Sequence, residues 1–255
     1  QIKLLKGDCL ELMKDIPDNS IDLIVTDPPY KLVAGGVTGK LSKRITGVCL
    51  DHNSIDTKNG NGNFKINNIK FSEWLPDCYR VLKDGGHCYI MVNDRNMQQL
   101  LNETETSGFK LLNILVWNKN NAMPNHWYMK NAEFILFLRK GIAKYINNQG
   151  SKQCMYFNNI KRKLHPTEKP VELMSNFIEN STKIGDTVLD PFMGSGSTGV
   201  AAKILNRKFI GIEIDNKYFE IAYNRIKNHI NNENIPLRKS EIYRFDKISN
   251  NLKTN

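Results

Sequence analysis

Asp27, Pro28, Pro29 and Tyr30 stand directly after the apolar run Ile21–Val25 and Thr26. Two consecutive prolines fix φ and remove two N–H donors. They leave a stiff loop with free carbonyls between a carboxylate and an aromatic ring. Those parts suit one chemical problem. An exocyclic amino nitrogen such as that of adenine is conjugated with its ring and is a poor nucleophile. A carboxylate accepting one N–H, and a backbone carbonyl accepting the other, push electron density towards nitrogen. They favour the pyramidal geometry reached when nitrogen attacks a methyl sulfonium. This is electrostatic stabilisation where positive charge develops, with positioning added. The Tyr30 ring offers a stacking platform for a base taken out of a duplex. On the residues alone, the tetrapeptide reads equally as a turn after a strand.

A second group, from Asp190 and Phe192 through Gly194, Ser195, Gly196 and Ser197, follows the run Thr187–Leu189 and opens a helix over Gly199 to about Asn206. Glycines permit a tight turn and close backbone approach to a ligand. GxG alone is weak and also fits a dinucleotide site or a bare strand–helix turn. The spacing is not GxGxxG, which counts against a nicotinamide dehydrogenase, and no GxxxxGK[ST] loop occurs. Further on, Gly211-Ile212-Glu213-Ile214-Asp215 closes the next strand, where an acidic residue can accept hydrogen bonds from ribose hydroxyls. Together the two stretches indicate a nucleoside cofactor. In a third group, His165–Pro170, Lys169 sits at a helix start, where anions rather than cations are favoured. A solvated lysine is the default there. A carboxylate partner, such as the amino-acid end of S-adenosylmethionine, explains the position better.

These groups need strands to carry them. Short apolar runs at Ile21–Val25, His87–Val92, Leu111–Trp117, Phe134–Leu138, Thr187–Leu189 and Phe209–Ile214 predict strands of a sheet covered on both faces. Helical spacing falls between them. One stripe joins Phe71, Trp74, Leu75, Cys78, Tyr79 and Leu82, with Pro76 inside it. A second joins Val171, Leu173, Met174, Phe177 and Ile178, with Thr167 as the expected N-cap. A third starts at about Asn216, with Tyr218, Phe219, Ala222 and Ile226 facing inward. Strands alternating with helices predict an α/β doubly wound, mostly parallel sheet. One domain is expected over 1–255, with inserted loops at about 31–70 and 141–164 and a polar tail after Asn231.

The chain has 255 residues and a formal net charge of +10. That surplus fits a polyanionic partner and equally a genome biased towards Lys and Asn. Five cysteines without CxxC spacing point to neither a disulfide framework nor a zinc site, and no metal is expected. The sequence shows no signal-peptide pattern and no apolar stretch of membrane length, so a cytoplasmic protein is expected.

With all three groups in view, the sequence resembles the β-group amino-methyltransferases of DNA over roughly residues 3 to 230. In that family the DPPY motif precedes the FxGxG element, a circularly permuted order. Here Asp27–Tyr30 precedes Phe192–Gly196, with His165–Pro170 between them. The resemblance implies a Rossmann-like fold, S-adenosylmethionine as cofactor and DNA as partner. It implies catalytic roles for Asp27, Pro28, Pro29 and Tyr30. It implies cofactor contacts by Asp8, Cys9, Lys169, Asp190, Phe192, Gly194, Ser195, Gly196, Ser197, Glu213 and Ile214. The segment Asn131–Phe137 resembles the strand that helps shape the base pocket. DNA contact is expected from the basic residues Lys161, Arg162 and Lys163. Because that segment is short, Lys40, Lys43 and Arg44 of the earlier loop join the expectation. Aspartate in the motif goes with N6 of adenine and serine with N4 of cytosine, so adenine is the expected target. N4-cytosine methylation stays as the nearest alternative, and an inactive DNA-binding homologue as a more distant one. A homodimer and a cognate restriction endonuclease stay open as partners.

Overall fold

The apolar runs pair into one sheet, because each carries side chains that need covering on both faces. A computed structural model describes residues 1–29, 69–123, 127–142, 144–160 and 168–231. The strands are β1 (Ile2–Lys6), β2 (Ile21–Thr26), β3 (Leu82–Val92), β4 (Lys110–Met123), β5 (Lys130–Arg139), β6 (Cys154–Tyr156), β7 (Thr187–Asp190) and β8 (Lys208–Glu213). The helices are α1 (Cys9–Leu12), α2 (Phe71–Val81), α3 (Met97–Thr106), α4 (Val171–Ser181), α5 (Ser197–Ile204) and α6 (Asn216–Asn231). A 3-10 turn, Met13–Asp15, follows α1.

The strand order is β1-β8-β7-β2-β3-β5-β4-β6. β1, β8, β7, β2 and β3 run parallel, and β5 runs against β3 and β4. The chain leaves β7 outward through α5 to β8. From β2 it leaves in the opposite direction, to reach β3. The β2/β7 pair is therefore the point where the winding reverses, and the crevice at its carboxyl ends is where open α/β sheets bind ligands.

Alternation along the strands divides the core in two. Ile24, Cys88 and Ile90 face a layer with α1, α2 and α3, while Leu23, Val25, Tyr89 and Met91 face α4, α5 and α6. On the second face Tyr89 stacks between Phe137 and Phe177, with centroids 4.6 Å apart on each side, which seats α4 on β3 and β5.

The six expected strands and the three apolar stripes form where the spacing puts them. Pro76 lies within α2 without ending it, and Leu82, read as part of that stripe, opens β3. Four elements were not expected, β1, α1, α3 and β6, nor was the 3-10 turn after α1. Thr167 lies outside the described residues, and the N-cap position of α4 belongs to Pro170. The stretch 144–160, expected as part of an inserted loop, is docked instead. Its Cys154–Tyr156 pairs with β4, the Phe157 carbonyl accepts from Trp117 Nε1 at 2.8 Å, and Asn147 N donates to the Asn180 carbonyl at 2.8 Å.

Candidate active site

Asp27 follows β2 and Asp190 ends the neighbouring β7, so the two expected motifs meet at the winding reversal. Three donors hold them together. Thr26 Oγ1 donates to Asp190 Oδ1 at 2.8 Å, Thr198 Oγ1 donates to Asp190 Oδ2 at 2.7 Å, and Phe192 N donates to Oδ1 at 3.1 Å. Asp190 is buried, and burial pushes its carboxyl up to about 7 despite those donors, with the Asp27 charge adding to the rise. Expected as a cofactor contact, Asp190 acts here as an internal strut between β2, the glycine loop and α5.

Asp27 Oδ2 accepts from Lys169 Nζ at 2.5 Å. Lys169 lies 3.4 Å from Glu133 Oε2, and Glu133 Oε1 accepts from Lys119 Nζ at 2.7 Å. Charges thus alternate along a half-buried row: Lys119, Glu133, Lys169, Asp27. Burial pushes the Glu133 carboxyl up, but the Lys169 and Lys119 ammoniums outweigh it and hold it below its ordinary value. Lys169, expected beside the carboxylate of S-adenosylmethionine, is paired here with Asp27 of the chain itself. A carboxylate placed beside an ammonium can accept an N–H of a neutral amine and face the charge that grows as that amine is alkylated. Pro28 is buried and Pro29 half-buried beside it, while Tyr30 lies outside the described residues.

The glycine loop carries two left-handed glycines, Gly194 at φ 50° and Gly196 at φ 80°. At Gly196 a Cβ would also sit 3.0 Å from Ala222 Cβ and 3.1 Å from Ile226 Cδ1, so α6 leaves no room for a side chain. Gly194 N donates to Glu213 Oε2 at 2.9 Å, and Asp215 N donates to Oε1 at 2.8 Å. Burial raises the Glu213 carboxyl above its ordinary value. Each of its oxygens keeps a lone pair beyond these bonds. Ile214 beside it is 60% exposed, an apolar side chain left at the crevice edge. Gly7 N donates to the Glu213 carbonyl at 3.0 Å, which brings Asp8 to the end of β8, where its side chain caps α1 through Leu10 N at 2.9 Å. The Cys9 thiol is buried in the first core layer, and burial pushes it up to about 12. Phe192 packs edge-on to Trp74, with centroids 5.2 Å apart.

Several residues that no motif announces complete the arrangement. Arg225 of α6 donates to the Ser195 carbonyl at 3.0 Å, to Ser195 Oγ at 3.1 Å and to Ser197 Oγ at 3.3 Å. It also pairs with the buried carboxylate of Glu168 at 2.7 Å. One guanidinium thereby ties the glycine loop to the segment carrying Lys169. Thr26, Thr198 and Glu168 lie beside or within the motif stretches without a role of their own there, Lys119 lies apart from them, and proximity in space is what joins them. Lys40, Lys43, Arg44, Lys161, Arg162 and Lys163 lie outside the described residues.

The lysine-held carboxylate of Asp27 thus lies beside the glycine loop that Glu213 binds. A family model for N6/N4 methyltransferases, described as DNA methylase, matches residues 21–224. The chain belongs to this DNA methylase family. The Type II methyltransferase M.HinfI of Haemophilus influenzae is 33% identical over 249 residues, covering 88% of this chain and 68% of that protein. The Type II methyltransferase M2.MboI of Moraxella bovis is 32% identical, covering 87% and 86%. Among solved structures, a complex of M1.HpyAVI with SAM superposes with a TM-score of 0.66 at 30% identity, covering 88% of this DNA methylase and all of that chain. The cytosine-N4-specific PvuII DNA methyltransferase has a TM-score of 0.68 at 21% identity, covering 92% and 88%, which speaks for a shared fold.

Proposed function

We propose that this DNA methylase transfers the methyl group of S-adenosylmethionine to N6 of an adenine turned out of the duplex. The observation that carries the reading is the Thr26–Asp190 hydrogen bond, 2.8 Å long, which sets Asp27 beside the glycine loop. Asp27 and the Pro28 carbonyl accept the two amino hydrogens, and Tyr30 stacks on the base. Lys169 fixes the orientation of Asp27 through their ion pair, and Glu133 balances the lysine. Gly194, Ser195, Gly196 and Ser197 form the cradle in which Glu213 accepts ribose hydroxyls, with Ile214, Phe192 and the Asp8 segment around it. Nothing in this donor set conflicts with S-adenosylmethionine, which when bound supplies a methyl group on a sulfonium. The proton released from nitrogen leaves to water after transfer.

Aspartate at position 27 favours adenine over cytosine. Lys40, Lys43, Arg44, Lys161, Arg162 and Lys163 contact DNA phosphates. The Type II relatives support a restriction partner, and a homodimer accompanies that reading. Action on DNA supports a cytoplasmic location.

The test is to incubate the protein with unmethylated genomic DNA and S-adenosylmethionine and to identify methylated nucleosides by mass spectrometry. N6-methyladenine supports the proposal, and sequencing the same DNA yields the recognition site. N4-methylcytosine would keep the mechanism and overturn the target base. Cofactor binding by calorimetry without any modified base would favour an inactive DNA-binding homologue.

A further inference from the structure

The β4–β5 hairpin carries three consecutive large side chains that the core does not use. Trp127 is 87% exposed, Tyr128 89% and Met129 63%. An aromatic pair held in water at a hairpin tip has gained nothing from folding, and contiguous exposed apolar groups mark contact surfaces. The position of the tip selects the partner. β4 runs in the direction of β2, β3 and β7, since β5 is antiparallel to both β3 and β4. Its far end therefore lies at the same sheet edge as Asp27 and Asp190. The hairpin is also connected to the site. Glu133 of β5 reaches Lys169, and Lys169 reaches Asp27. From Glu133 to Met129 the strand extends roughly 13 Å at about 3.3 Å per residue, well inside one turn of duplex, about 34 Å.

Charge agrees with position. Between Asn118 and Ala132 the sequence has no Asp or Glu, and its charged residues are Lys119 and Lys130, with His126 between them. In a chain of net charge +10, this apolar tip on a neutral-to-basic hairpin is suited to a polyanion with aromatic faces. We infer that Trp127 and Tyr128 stack on bases of the duplex next to the target nucleotide and occupy the space that opens when the target turns out. The inference rests on the DNA-methylating reading above and adds to it a base-stacking wedge made of residues outside the motifs that the resemblance named.

The chain supplies its own probe. Of its three tryptophans, Trp74 and Trp117 are 0% and 1% exposed, so Trp127 is the one that solvent and DNA can reach. A duplex carrying the recognition sequence found by the genomic experiment is titrated into the protein while tryptophan emission is followed. Quenching by duplex in the wild type, and its loss in Trp127→Phe with binding retained, is the expected result. The double variant Trp127→Ala/Tyr128→Ala should bind the duplex about tenfold to a hundredfold more weakly, with an unchanged melting temperature. It should lose less activity on a duplex whose target adenine is already unpaired. Unquenched emission while the wild type methylates that duplex, or a double variant that binds and methylates like the wild type, would overturn the wedge. So would a wild type whose emission changes with protein concentration alone and whose double variant sediments at half the mass, because the tip would then belong to an interface between copies. A wild type that methylates no DNA at all would overturn the reading beneath it instead.

Discussion

Asp27 and Glu213 are both carboxylates at strand ends, yet their surroundings assign them different work. Asp27 faces an ammonium at 2.5 Å, whereas Glu213 faces backbone N–H groups of the glycine loop and of Asp215. In the proposed mechanism Asp27 faces the reacting nitrogen, where charge develops, and Glu213 the ribose, which matters to ground-state binding. Asp27→Ala is therefore expected to lower kcat by about a hundredfold to a thousandfold while calorimetry finds cofactor affinity nearly unchanged. Glu213→Ala is expected to weaken cofactor binding by about tenfold to a hundredfold, the loss of a hydrogen bond to a charged group, with a smaller effect on kcat at saturating cofactor. Wild-type kcat in the first variant, or unchanged affinity in the second, would remove that residue from its role. The placement of both at strand ends was legible in the sequence, because each belongs to a spaced motif at the end of an apolar run. The partner of Lys169 was not. The helix-start position was read as facing the cofactor's carboxylate; the ion pair with Asp27, 142 residues away, was not foreseen, because spacing along the chain carries no information about it.

At the scale of elements, legibility followed the length of the apolar stripe. α2 buries Phe71, Trp74, Leu75, Cys78 and Val81, and its period survives an internal proline. α3 buries Leu100 and Thr104, too few for a period to emerge, and β6 is three residues long with one buried side chain. The glycine loop was legible as a turn, but the strut beneath it was not, because Asp190 was read as a ligand contact. Its burial has a consequence for stability. Unfolded, the carboxyl titrates at about 3.9; folded, it titrates at about 7. Between those values the native protein holds a proton that the unfolded chain has released, so native stability falls as pH rises through that window. Asp190→Asn cannot ionise and removes that contribution. The wild type should therefore lose more melting temperature between pH 5 and pH 8 than Asp190→Asn does. Equal losses would mean that the three donors keep Asp190 ionised at pH 5.

For the molecule as a whole, strand order was the part least accessible to reasoning along the chain. Alternating strands and helices implied a doubly wound sheet, but the adjacency of β2 and β7 depends on pairing between distant segments. That adjacency sets the Asp27 motif, the glycine loop and the β4–β5 hairpin along one edge, and a duplex must lie across that edge to be methylated. Two kinds of contact are then separable by salt. Cationic side chains at phosphates release counterions, so the logarithm of the binding constant falls with the logarithm of salt concentration by about 0.9 for each contact. Stacked aromatics release none. Replacing Lys161, Arg162 and Lys163 together by alanine should flatten that slope by about 2.7 if each meets one phosphate. The Trp127→Ala/Tyr128→Ala variant should weaken binding at every salt concentration with the slope unchanged. Fluorescence anisotropy of a labelled duplex, measured across a salt series, checks both. An unaltered slope in the triple variant would take those three cations off the phosphates and leave the +10 charge to act through other residues. An altered slope in the aromatic variant would mean that the hairpin works by placing Lys119 or Lys130 on the backbone and not by stacking.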